Sequence, residues 1–69
     1  LFSRRVTLLH RKVLINLLSG NALSGVCSFE SGTALVLRGV IVHAPDSEPA
    51  PADGEVLIDR ANVDFIQML

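Results

Sequence analysis

At 69 residues the chain is one domain at most, and a domain of that size buries only about 60% of the surface its unfolded chain exposes. Hydrophobic residues make up 49% and aromatics 4%, and the single cysteine excludes an internal disulfide. The net charge of −1 is unevenly spread: Arg4, Arg5, Arg11 and Lys12 give residues 1–12 a charge of +4, whereas Arg38 and Arg60 stand against seven acids in the rest, −5.

These figures narrow the ways in which so small a core is stabilised. The histidines, His10 and His43, are isolated, so no cluster has zinc-ligand spacing. The strictly apolar runs fall far short of the ~20 residues of a membrane helix. Arg11 and Lys12 follow Arg4 and Arg5 too soon to leave the apolar core of a signal peptide, and a soluble intracellular chain is expected. Self-association is then the expected stabiliser.

In chain order, "LFSRRVTLLHR" (1–11) comes first. It reads as a short helix, on a partial stripe of Phe2, Val6, Leu8 and Leu9, or as an irregular basic arm. A first strand, "KVLINLL" (12–18), is apolar on one face and mostly apolar on the other. "SGN" breaks the chain before a second strand, "ALSGVCSFE" (22–30), where Gly25 marks a bend or a close backbone approach. The third, "TALVLRGVIVHA" (33–44), is rich in β-branched residues, and Arg38-Gly39 in its middle suggests another bend or bulge. "APDSEPAPADG" (44–54) holds all three prolines and reads as a solvated, mobile loop. Two last strands, "EVLID" (55–59) and "VDFIQML" (63–69), are separated only by "RAN", which suits a tight turn.

Five short strands with bends in the second and third predict an all-β fold, a small, strongly bent barrel over 12–69 preceded by the arm at 1–11. If the fifth strand closes on the first, the fourth keeps a free edge. Val56, Leu57 and Ile58 on that edge carry no gatekeeping lysine or proline, and exposed edges pair.

The order of these elements resembles the Sm and Sm-like family. Its first motif, L-x-x-G-x-x-h-x-G, is matched by Leu17, Gly20, Leu23 and Gly25, followed by "VCSFESGTALVL"; its second is matched by "VLIDRANVDFI" after a variable loop. The resemblance spans roughly residues 12–68 and implies a five-stranded Sm-like (SH3-like) barrel. It also implies a homo-oligomeric ring of about five to eight subunits, in which the fourth strand of one pairs with the fifth of the next. The interface would then include Val56, Leu57, Ile58, Val63, Phe65 and Ile66.

RNA-binding members carry an acid and an Asn near the turn between strands two and three, and an Arg-Gly in the second motif. Here Glu30 stands near the acid and Ala34 near the Asn, and Asp59-Arg60 or Arg60-Ala61 replaces Arg-Gly. Apart from Phe29 next to Glu30, no aromatic stands beside these positions to stack on a base. A nucleic-acid-binding ring, using Arg4, Arg5, Arg11, Lys12 and Arg60, is therefore the alternative rather than the leading expectation.

The pattern G-x-A-L-x-G-V (20–26), L-V-L-R-G (35–39), P-x-D-G-E-V (51–56) and D-R-x-x-V-D-F-I-Q (59–67) gives a looser, whole-chain resemblance to small proteins encoded by bacteriophages of actinobacteria. It implies a structural or assembly module, located in the phage particle or the bacterial host cytoplasm, with other phage structural proteins as possible partners. No enzyme, cofactor or metal is expected. Cys27 reads as a small buried residue, His43 as a strand-end polar residue and His10 as part of the arm. Asp59 and Arg60 read as a structural pair across subunits or as residues that line a ring pore and bind a ligand. Gly20 and Gly25 have the G-x-x-x-x-G spacing without the Lys-Ser/Thr of a phosphate loop.

Overall fold

The structure is a computed structural model that describes residues 7–69. The strands are β1 (Lys12–Leu17), β2 (Ala22–Glu30), β3 (Ala34–His43), β4 (Ala50–Asp59) and β5 (Val63–Met68), with a 3-10 turn, η1 (Arg60–Asn62), between β4 and β5. They form one antiparallel sheet in the order β4-β3-β2-β1-β5. The all-β, five-stranded expectation is met. The sheet bends but does not close, because β4 and β5 lie at its two ends.

Alternation builds the core. Val13 and Ile15 of β1, Leu23 and Cys27 of β2, Leu35, Leu37 and Val40 of β3 and Ile58 of β4 all point inward, joined by Leu8 of the arm. Half-buried Leu17, Val42, Ala52, Val56, Val63, Ile66 and Met68 pack around them. A core of single aliphatic side chains needs close strand approach to exclude water.

Glycines supply that approach. A Cβ on Gly25 would sit 2.8 Å from the Arg38 carbonyl oxygen, which only glycine permits. The β2–β3 register shifts at this point, between Ser24 and Val26. On β3 the shift against β4 falls between Arg38 and Val40, around Gly39, φ 60°; the facing stretch of β4, between Ala52 and Glu55, contains Gly54, φ 74°. Thus β2, β3 and β4 bend along one line across the sheet, each at a glycine.

The loop expected over 44–54 requires correction. Only residues 44–49 connect β3 to β4, because β4 begins at Ala50. Pro45 and Asp46 form the centre of a turn closed by Ser47 N–H donating to the Ala44 carbonyl at 3.3 Å. Asp46 takes φ 61°, the conformation that the third position of a type II turn requires. Pro51 then lies inside β4, which is tolerated because β4 is an edge strand.

The helix-or-arm expectation for 1–11 falls partly on residues 1–6, outside the described residues. Residues 7–11 are irregular, not helical. They run beside β2: Leu9 forms a single parallel bridge to Cys27, His10 N–H donates to the Cys27 carbonyl at 2.8 Å, and Cys27 N–H donates to the Arg11 carbonyl at 3.0 Å.

Candidate functional site

β4 pairs with β3 through Leu35↔Ile58, Val36↔Leu57 and Leu37↔Val56, and among the described residues its other side has no strand partner. β5 pairs with β1 through Ile15↔Ile66, Asn16↔Phe65 and Leu17↔Val63 and is likewise open outward. The six interface candidates divide by face. Val56, Ile58, Val63 and Ile66 serve the chain's own core. Leu57 and Phe65 face away from it and are 71% and 53% exposed.

The β4 edge changes character along its length. Its first six residues include Pro51, Asp53, Gly54 and Glu55, which discourage pairing. The stretch that follows, Val56-Leu57-Ile58, has no such device before Asp59.

Phe29 extends the apolar surface, and sequence periodicity does not reveal it. Cys27 and Phe29 are two apart and should share a face, yet Cys27 is fully buried and Phe29 is 52% exposed. The cause is a bulge: the β2–β3 register shifts between these residues. Phe29 pairs with Val36, and Val36 pairs with Leu57. Directly paired residues share a face, so Phe29, Val36 and Leu57 form one outward row ending at the free edge. Beside it lies an open groove of about 430 Å³ lined by Thr33, Ala34, Leu57, Asp59 and Asn62.

The turn joining the two edge strands is anchored from within. Asp59 caps η1, its Oδ1 accepting from Ala61 N–H at 2.9 Å. Arg60 Nε donates to the Ser31 carbonyl at 2.6 Å, and its backbone N–H donates to the Thr33 carbonyl at 2.9 Å. The Arg60 guanidinium lies 3.6 Å from the Glu30 carboxylate. Glu30 also accepts from Thr7 Oγ1 at 2.7 Å and from Leu8 N–H at 3.1 Å. One carboxylate thus ties together the arm, the end of β2 and η1. Asp59 and Arg60, expected as a pair between subunits or as ligand-binding residues lining a pore, each have partners inside the chain.

The other candidates are dispersed. Arg11 and Lys12 are exposed, and Arg4 and Arg5 lie outside the described residues. His43 ends β3, with Nε2 3.2 Å from Ser24 Oγ. The Cys27 thiol is pushed above its ordinary pKa by burial, opposed in part by its hydrogen bond to the Phe29 carbonyl. Among the described residues, no group of three His, Cys, Asp or Glu is placed to hold a metal ion, and no helix is long and apolar enough to cross a membrane. No family model matches this chain, and no curated protein matches it.

Proposed function

We propose that this chain is an Sm-like structural and assembly module that associates with copies of itself through its strand edges. The observation that carries this reading is the pair of open edges at opposite ends of one sheet, each presenting a large exposed apolar side chain. A contact between unlike edges is heterologous, and it closes into a ring when the rotation permits. The resemblance to the Sm-like family supports a ring of about five to eight subunits, and small cores gain stability from such contacts.

The resemblance to phage-encoded proteins supports a role as a virion component or assembly factor, in the particle or the host cytoplasm, with other phage structural proteins as partners. The nucleic-acid alternative has weaker support, because Arg60 is held by Glu30 and the Ser31 carbonyl. The test is mass in solution by light scattering. Leu57→Lys, at a position 71% exposed in the single chain, should dissociate the assembly without unfolding it. A variant that keeps the wild-type assembled mass would remove β4 from the interface.

A further inference from the structure

Thr7 fastens the arm to the end of β2. Its hydroxyl donates to Glu30 Oε1 at 2.7 Å and accepts from Leu9 N–H at 3.3 Å. The same carboxylate accepts from the N–H of Leu8, whose side chain is buried in the core. Thr7 itself is exposed. Further along, the arm meets β2 only at Cys27, through the Leu9 bridge and the backbone hydrogen bonds of His10 and Arg11. His10 has φ 62°, in a turn closed by Arg11 N–H donating to the Leu8 carbonyl at 3.0 Å.

The sequence sets Thr7 apart from the other hydroxyl residues. Arg4 and Arg5 precede it with one residue between, and no other serine or threonine has an arginine or lysine among the three residues before it. Paired guanidinium groups just ahead of an exposed hydroxyl are the charge pattern that a protein kinase with an acidic substrate groove selects.

We propose that Thr7 is a phosphorylation site and that its phosphate releases the arm from the end of β2. The kinase transfers the γ-phosphoryl group of a nucleoside triphosphate. The Oγ1–H bond breaks, an Oγ1–P bond forms, the nucleoside diphosphate leaves and the proton passes to the kinase's catalytic base. The product carries a charge of about −1.5 to −2 where a hydrogen-bond donor stood. It faces Glu30 Oε1; the Arg60 guanidinium lies 3.6 Å from the other oxygen, and Arg60 Nε is held by the Ser31 carbonyl. Phosphate and carboxylate repel, and Leu8 N–H loses its acceptor as they part. Leu8 then leaves the core and the arm opens at the His10 turn. The modification needs no second copy of the chain.

The first test uses the full chain with a serine/threonine kinase that selects basic substrates, magnesium and ATP, read by intact mass and fragmentation. One phosphoryl group should appear, on Thr7. Thr7→Ala should take up none, and Arg4→Ala/Arg5→Ala should react at least about tenfold more slowly. No uptake, uptake at another residue, or an undiminished rate in the arginine variant overturns the site. The second test is hydrogen exchange on a chain synthesised with phosphothreonine at position 7. The Leu8 and His10 amides, both hydrogen-bonded in the unmodified chain, should exchange at least about tenfold faster, with the amides of β3 unchanged. Thr7→Val removes the hydroxyl without adding charge and should speed them less. Unchanged exchange, or equal exchange in Thr7→Val, overturns the release of the arm by charge.

Discussion

Gly25→Ala places one methyl group at the tightest point of the bend. The added Cβ would lie 2.8 Å from the Arg38 carbonyl oxygen, 3.3 Å from Val40 Cγ2 and 3.4 Å from Leu37 Cβ. The nearest of these is backbone, so no rotamer change relieves the contact and β2 must move away from β3. Overpacking of this kind costs about 1–3 kcal/mol. In a domain this small each kcal/mol lowers Tm by roughly 4–8 °C, so a cost of ~2 kcal/mol lowers it by about 8–16 °C. Gly32→Ala is the matched control: nothing lies within 4 Å of its added Cβ, and its φ is outside the left-handed region. Its effect should stay within about 0.5 kcal/mol. Thermal and urea unfolding, followed by circular dichroism at one fixed protein concentration, measure both variants. A Gly25→Ala protein as stable as Gly32→Ala would refute the close approach of β2 and β3 and, with it, the glycine line as the cause of the bend.

Glu30→Ala removes the acceptor for the N–H of buried Leu8 and the partner of Arg60, and should cost about 1–3 kcal/mol by urea unfolding. Glu30→Gln, which keeps a carbonyl acceptor, should cost less; equal losses would point to charge rather than the Leu8 hydrogen bond. Burial raises the pKa of Cys27, so the folded state holds the thiol proton more tightly than the unfolded state. That contribution to stability is fully present below the ordinary thiol pKa and is lost as pH rises through the folded one. Correspondingly, a thiol reagent at neutral pH should label Cys27 only after denaturant is added, and prompt labelling of the native protein would contradict its burial. With Arg60 engaged internally, single-stranded U-rich or A-rich RNA should show no gel retardation at low salt. Salt-dependent retardation would restore the nucleic-acid reading.

The strands were legible because the apolar runs are separated by glycines, prolines or, before the last, the short polar stretch "RAN", and the bends at Gly25 and Gly39 were marked by glycines inside otherwise regular strands. Gly54 was not legible, because Pro51, Asp53 and Gly54 have the local composition of a loop. Pairing with β3 makes that segment a strand, and an edge position lets it keep its proline. The open edge at Val56, Leu57 and Ile58 could be read from the order of the strands. Its extension to Phe29 could not, since a bulge reverses the alternation between Cys27 and Phe29. The Glu30–Arg60 contact joins residues far apart in sequence, and only the fold brings the end of β2 beside η1.

The central claim is that the two open edges of one sheet satisfy each other between copies. Size-exclusion chromatography with multi-angle light scattering, run on the wild-type chain at micromolar concentration, tests it most directly. A single species at an integral multiple of the 7.4 kDa chain mass, of about five to eight copies, is the expected result. A clean monomer under the same conditions contradicts it.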